Sequence, residues 1–291
     1  MIKNILIIVQ SKNKRSVNLA KKITNLYQDQ TYFFSIWDIT DKNKVSPVID
    51  QQNQDVDLVL VIGGDGTMIR ACRHFSNTNI PIIGINHGRL GFLVDLADHN
   101  IEKSLPDVLA GKFITNQRNM LAAKIFNSNH ESKQEYTAVN EIFINRSNNS
   151  TMLDINIWDN QDFLIAMRAD GIIVATPTGS TAYALSSGGP ILHPQAQGFI
   201  LCAVAPHSLT NRPIVLPDHF ELNFELPKNK PKQKAKFFTD GQEIITIDIN
   251  CKIKIYKSEQ TFTLAHPINY NFYQNLRNKL SWNEELGDLN Q

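Results

Sequence analysis

Gly63-Gly64-Asp65-Gly66-Thr67 gathers three glycines, a carboxylate and a hydroxyl directly behind the apolar run 56–62. Glycines let a chain turn sharply and let its N–H groups converge on an anion. A helix expected over 68–75 adds its positive N-terminal end. A phosphate site with a carboxylate at its lip suits phosphoryl transfer to a hydroxyl. The alternative is a tight strand-to-helix turn in which Asp65 caps the helix.

A second constellation runs from Thr176 to Pro190, again behind an apolar strand, 172–175. Thr176, Thr178, Gly179, Ser180 and Thr181 open what reads as a helix through Tyr183 and Ser186. Hydroxyls and free N–H groups at a helix start suit phosphate or ribose, and Tyr183 offers a flat face to a base. A cap with a core tyrosine is the blander alternative, and the density of small and polar residues weighs against it. The third constellation is Asn140-Glu141, inside the expected strand 138–145. A polar pair in an apolar strand costs stability unless something satisfies it. A sugar with vicinal hydroxyls would do so, and so would neighbouring backbone. Arg168-Ala169-Asp170-Gly171 and Asp240-Gly241-Gln242 read as turns with Asx-type bonds. Gly84, Gly88 and Gly91 read as backbone packing at a sheet edge, and His207 as a structural histidine.

The elements that must position these residues fall into two halves. Apolar runs at 2–9, 31–37, 56–62 and 80–85 alternate with helical spacing at 13–27, 68–75 and 101–109. Such alternation predicts a parallel sheet with helices on both faces, whose ligands bind beyond the strand ends. Past Gly111 short strand-like segments dominate, at 121–126, 138–145, 152–158, 163–167, 172–175, 200–204, 220–226 and 243–249. Asn, Asp, Gly and Pro separate them, as turns require, so a β-sandwich or similar β-rich domain is expected. A helix over 272–280 is expected to pack back on the first half.

A chain of 291 residues has room for two domains. Its net charge of +1 gives no overall pull toward nucleic acid or a membrane surface. The basic stretch 228–236, flanked and broken by Pro227 and Pro231, reads as a solvated loop. Cys72, Cys202 and Cys251 are scattered, with neither metal spacing nor a disulfide framework. The apolar start 1–10 is too short for a signal peptide, and no run approaches the roughly 20 apolar residues of a membrane span. A soluble, cytoplasmic protein is the expectation.

At these residues the chain resembles the NAD kinase family. Gly63–Thr67 looks like its GGDG loop, which lipid kinases and 6-phosphofructokinases share. Gly84-Ile85-Asn86 with Gly88 and Leu90-Gly91-Phe92-Leu93 resembles its GIN-x-G-x-LGFL segment. Asn140-Glu141 resembles its NE pair, and Thr176 to Pro190 its TPTGSTAY…GGP signature, the specific one. Pro206 to Leu209, Arg212-Pro213 and the closing stretch from Phe272 to Trp282 add to the likeness. The resemblance implies a Rossmann-like α/β domain over 1–112, a β-sandwich NAD-binding domain over 113–268, and a segment 269–291 returning to the first domain.

It further implies a homotetramer that transfers the γ-phosphate of ATP to the 2′-hydroxyl of the adenosine ribose of NAD, giving NADP, with a divalent cation, Mg²⁺, on the phosphates. Asp65 would be the base, beside Gly66. Asn140 and Glu141 would hold a ribose. Thr181, Ala182, Tyr183, Ala184, Leu185 and Ser186 would line the adenine and ribose pocket. Arg168 and Asp170 would reach substrate across a subunit boundary, and Ala205 and Gln242 would lie near the ends of the dinucleotide. Where many relatives carry a basic residue after the NE pair this chain has Thr151, so that contact is not carried over.

Overall fold

The computed structural model describes residues 2–27, 32–40, 56–88, 91–127, 132–147 and 151–282. Three parts of the sequence expectations lie outside these residues: Thr31 at the start of a strand, Leu90 in the GIN-x-G-x-LGFL segment, and the end of the chain, 283–291. The chain divides into two compact units, Met1–Gln117 with Phe262–Gln291, and Arg118–Thr261.

The first unit runs β1 (Asn4–Val9), α1 (Lys14–Leu26), β2 (Phe33–Asp38), β3 (Leu58–Ile62), α2 (Asp65–His74), β4 (Pro81–Asn86), β5 (Leu96–Ala97) and α3 (Ile101–Leu109). Its strands pair in parallel in the order β2-β1-β3-β4. Strands β1 and β3 are unbroken apolar runs because helices cover both faces. Ile5, Ile7, Leu60 and Ile83 pack with Ala20 and Ile23 of α1 and Leu105 and Val108 of α3. Helix α2 lies against β3 and β4. β1 has β2 on one side and β3 on the other, so the sheet order reverses between β1 and β3. The carboxyl ends of such a pair form the ligand crevice of open α/β sheets. The glycine loop leaves β3 at that end.

The second unit contains β6 (Phe113–Phe126), which enters it from the first, then β7 (Ser132–Ala138), β8 (Glu141–Arg146), β9 (Leu153–Asp159), β10 (Asp162–Ala169) and β11 (Gly171–Ala175). A one-turn helix α4 (Tyr183–Ser186) follows, then β12 (Gly198–Val204), β13 (Ile214–Pro217), β14 (Glu221–Glu225), β15 (Ala235–Thr239), β16 (Gln242–Ile247) and β17 (Lys252–Pro267). One sheet has the order β13-β12-β11-β8-β15-β16; the strands facing it include β10-β9-β14-β17. Ile142, Ile144 and Phe237 from the first meet Ile155, Ile157 and Phe224 from the second in a shared core. β11 is buried throughout: Ile172 and Val174 face that core, whereas Ile173 and Ala175 pack with Ala184 of α4. Strand β17 pairs with β14, and its last residues Thr263 and Leu264 pair with β4 in the first unit. Helix α5 (Phe272–Leu280) belongs to that first unit.

The expected alternation in the first half and β-rich second half are both present, with three differences. Helix α2 starts at Asp65 rather than 68. β8 starts at Glu141, so the Asn140-Glu141 pair stands at the entry of a strand and does not interrupt one. β7, β13, β15 and β17 are strands that the sequence pattern did not mark. In β17 apolar Ile253 and Ile255 alternate with Lys254 and Tyr256, the period of a half-solvated strand.

Candidate active site

In the first unit the chemistry gathers at the switch point. Gly64 is the N-cap of α2 and Asp65 its first helical residue. The alternative, in which Asp65 caps the helix, does not hold: its carboxylate accepts N–H bonds from Phe92 (3.3 Å, Oδ2) and Leu93 (3.4 Å, Oδ1). The backbone comes so close that a Cβ on Gly91 would overlap Asp65 Oδ1. Gly91 is thus no mere packing glycine; it makes room for the carboxylate. Gln10, at the end of β1, donates its side-chain amide to Thr67 Oγ1 at 2.8 Å, tying the two strand ends together. Gly64 and Gly66 are exposed, and a Cβ on either would meet nothing. The Gly64 carbonyl takes the N–H groups of Thr67 (2.9 Å) and Met68 (3.1 Å), and the start of α2 carries the positive end of the helix dipole. Asp65, half-buried, stands in that first turn.

In the second unit a single carboxylate organises the entry to β8. Asp240 accepts from the N–H groups of Val139 (3.0 Å), Asn140 (2.7 Å) and Glu141 (3.2 Å). The Asp240-Gly241 turn, with φ of 47° and 75°, is therefore no isolated Asx turn: it shapes the Asn140-Glu141 corner and places Gln242 beside it. The Asn140 carbonyl accepts from Thr176 N, and Gly179 lies so close to it that a Cβ there would overlap. Asn140 Oδ1 and Glu141 Oε2 are buried with no hydrogen-bond partner. Glu141 is only 7% exposed. Burial, with the nearby Asp240 charge, pushes its carboxyl up to about 7, against a bond from the Tyr183 N–H that holds it down. Burial and Glu141 likewise push the Cys202 thiol up to about 12, so it stays an inert thiol.

Three hydroxyls of the stretch from Thr176 to Thr181, expected to be open for ligand contacts, donate within the protein. Thr176 donates to the Val139 carbonyl, Ser180 to Pro177 and Thr181 to Thr178. They stiffen the turn and leave Tyr183 at its edge, 41% exposed, its ring meeting Phe143 edge-on at 5.2 Å. Ala184 faces inward onto β11, with Thr181, Ala182, Leu185 and Ser186 around it on the turn.

Not all of the predicted residues come together. Ala175 is paired with Glu141 at one end of β11, whereas Gly171 at the other end is paired with Val204. Four residue steps of about 3.3 Å separate these ends by roughly 13 Å. Arg168, Asp170 and Ala205 sit at the far end, where Asp170 pairs with Arg146 at 3.2 Å and Ala205 holds a left-handed φ of 46°. Sequence reasoning missed the part Asp240 plays, because its partners lie about a hundred positions away. Among the described residues no cluster of three His, Cys, Asp or Glu could hold a metal.

A parallel α/β unit with a glycine loop at its switch point, and an antiparallel unit with a buried, partly unpartnered carboxylate and a half-open tyrosine, fit the class of phosphotransferases acting on nucleotides. Comparison with known proteins agrees. Residues 5–113 match the ATP-NAD kinase N-terminal domain and 139–266 the ATP-NAD kinase C-terminal domain. An NAD kinase of Ralstonia nicotianae is 40% identical over 235 residues, 81% of this chain and 76% of that protein. The yeast NADH kinase complexed with NADH superposes with a TM-score of 0.83 at 22% identity, covering all of this chain and 90% of that one. An NAD kinase from Archaeoglobus fulgidus in complex with ATP gives a TM-score of 0.72 at 25% identity, covering 96% and 98%. The chain belongs to the ATP-NAD kinase family.

Proposed function

We propose that this kinase transfers the γ-phosphate of ATP to the 2′-hydroxyl of the adenosine ribose of NAD, with Asp65 as the general base. The observation that carries the role of Asp65 is its placement: a carboxylate oriented by two backbone N–H groups, in the first turn of α2, at the sheet's switch point. A ribose hydroxyl attacks only as its proton leaves, and a positioned carboxylate takes that proton. The N–H groups at the start of α2, with Gly66 leaving space for close approach, receive phosphate oxygens.

Asn140 and Glu141 hold ribose hydroxyls; the support is that Asn140 Oδ1 and Glu141 Oε2 are buried with no hydrogen-bond partner among the described residues. Thr181, Ala182, Tyr183, Ala184, Leu185 and Ser186 line the base and ribose pocket, and Gln242 stands by the same corner. The 113–268 stretch is the NAD-binding part, and 1–112 with 269–291 the part that carries Asp65. The donor set fits a divalent cation, Mg²⁺, carried on the nucleotide phosphates near Asp65 and not caged by side chains. When bound, it neutralises charge on the transferring phosphoryl group. Asp65 would contribute its carboxylate there while the backbone of Phe92 and Leu93 keeps it aimed.

The reading includes a homotetramer in which Arg168, Asp170 and Ala205, at the far end of β11 from Glu141, serve a neighbouring copy. Leu209 (92%), Phe163 (60%) and Val215 (50%) in the second unit are exposed apolar residues that such assembly would cover. Three free cysteines fit a cytoplasmic setting, and no helix among the described residues is long and apolar enough to cross a membrane. The test is incubation of the full chain with NAD, ATP and Mg²⁺ and detection of NADP. Asp65→Asn is expected to lower turnover about 10²- to 10⁴-fold while calorimetric NAD binding stays close to normal. Near-normal turnover in that variant would remove Asp65 from the role of base. Light scattering of the full chain checks the assembly.

A further inference from the structure

The segment that aims Asp65 is itself held from an unexpected direction. Phe92 and Leu93 contact the Asp65 carboxylate through bonds of 3.3 and 3.4 Å. Typical N–H···O bonds are about 2.9–3.0 Å, so these two sit at the slack end of the range. A shift of a few tenths of an ångström in residues 91–93 would release the carboxylate. Something must therefore fix that segment.

Two residues downstream, Asp95 does so. Its side chain is 5% exposed and that of His266 is 1% exposed, and His266 Nδ1 stands 2.5 Å from Asp95 Oδ2 as ring N–H to carboxylate. Asn275, on α5, donates its amide to Asp95 Oδ1 at 3.3 Å. Tyr270 stacks on the His266 ring at 3.9 Å between centroids, with only 21° between the planes. Between Leu93 and Asp95 lies a single residue, Val94, fully buried against Gly84, where an added Cβ would meet it at 3.0 Å. Leu96 then pairs with Ile85. Residues 94–96 are thus held in turn by packing, side-chain bonds and strand pairing, and among the described residues the side-chain partners of the Asp95 carboxylate lie 171 and 180 positions away.

We propose that Asp95, clamped by His266 and Asn275, is a positioning residue for Asp65, so that the C-terminal segment sets the turnover of the enzyme without touching substrate. The proposal rests on Asp65 being the base. A merely structural role for the clamp would lower stability alone; a positioning role lowers kcat and leaves the KM for NAD in place, since misplacement of a reacting group by about 1 Å costs up to about a hundredfold in rate.

The experiment uses the full chain and four variants: Asn275→Ala, His266→Ala, His266→Asn and Asp65→Asn. Asn275→Ala is expected to lower kcat about fivefold to tenfold with the KM for NAD unchanged. His266→Ala should lower kcat further, and His266→Asn, whose amide restores one donor to Asp95, should recover most of the loss. Combining Asn275→Ala with Asp65→Asn should cost no more than Asp65→Asn alone, because a group that is absent cannot be misplaced. Should His266→Ala fail to fold, Asn275→Ala, which loses one neutral bond at a half-buried position, carries the test unaided. If Asp65→Asn is inactive and Asn275→Ala keeps normal kcat, or lowers residual turnover equally in the Asp65→Asn background, the positioning role is overturned. If Asp65→Asn itself is fully active, it is the assignment of the base that falls.

Discussion

Asp65 and Glu141 are both carboxylates in a nucleotide kinase, and the fold treats them in opposite ways. Asp65 is half-buried and each of its oxygens receives a backbone N–H from consecutive residues. Glu141 is almost wholly buried, one donor reaches it from Tyr183, and its Oε2 has no partner. The first is a charge already oriented before any substrate arrives. The second is a deficit built into the native state, of the kind that costs about 1–3 kcal/mol until a donor fills it. Preorganisation suits the proposed base, whereas an unfilled acceptor suits the ribose contact proposed for Glu141.

The most severe way to break this comparison is at Gly91. An alanine there would drive its Cβ into Asp65 Oδ1, so either the carboxylate rotates or the 91–93 backbone retreats. Turnover should fall by about a hundredfold or more, while the affinity for NAD, measured by calorimetry, changes little. The helix start and the sheet remain, so the urea midpoint should move by much less than the rate does. Normal turnover in Gly91→Ala would mean that Asp65 needs no such close backbone.

That glycine shows where sequence reasoning stops. Strands β1 and β3 were legible because two-sided burial demands unbroken β-branched and leucine runs, and the loop after β3 was legible because its residue types are rare together. Gly91 is 26 positions from Asp65, and nothing local distinguishes a glycine that clears a carboxylate from one that packs a sheet edge. Asp240 was read as a turn for the same reason: its three N–H donors belong to residues 139–141. Thr176 and Ser180 misled in the other direction. Hydroxyls at a helix start look ready for phosphate, yet both donate to carbonyls, Ser180 to Pro177 in its own turn and Thr176 to Val139 ahead of β8. Strand β17 escaped because its alternation of Ile253 and Ile255 with lysine and tyrosine resembles surface sequence until a sheet supplies its other face. Composition records which groups are present; only the fold records which of them are already satisfied.

Glu141 supplies the second test, and its sign can be worked out. Its folded carboxyl titrates at about 7 against an ordinary 4.5. Between these values the native protein holds a proton that the unfolded chain has released, so stability falls as pH rises through that window. The full span is on the order of 3 kcal/mol. Glu141→Gln keeps the shape and abolishes the ionisation. The urea midpoint of the variant should lose this downward slope between pH 5 and 7 and exceed that of the parent at pH 8. Ribose hydroxyls donate to the ionised form, so NAD should reduce the same slope in the parent and bind more tightly at pH 8 than at pH 6. A parent whose stability is flat from pH 5 to 7 would show that Glu141 is not the strained member of the pair.

The mildest change, Tyr183→Ala, separates the ring from the backbone beneath it. The Tyr183 N–H that reaches Glu141 survives the substitution, as does the turn built by Thr176 and Ser180. What is lost is an aromatic face, 41% exposed and braced edge-on by Phe143 at an interplanar angle of 88°. Aromatic pairing of this kind is worth about 0.5–1.5 kcal/mol, so the KM for NAD should rise about fivefold to tenfold with kcat held. Tyr183→Phe keeps the face and should behave as the parent. An unchanged KM with a collapsed rate would move Tyr183 from recognition of the dinucleotide to the side of the comparison that Asp65 occupies, and the division of labour between the two carboxylates would have to be redrawn.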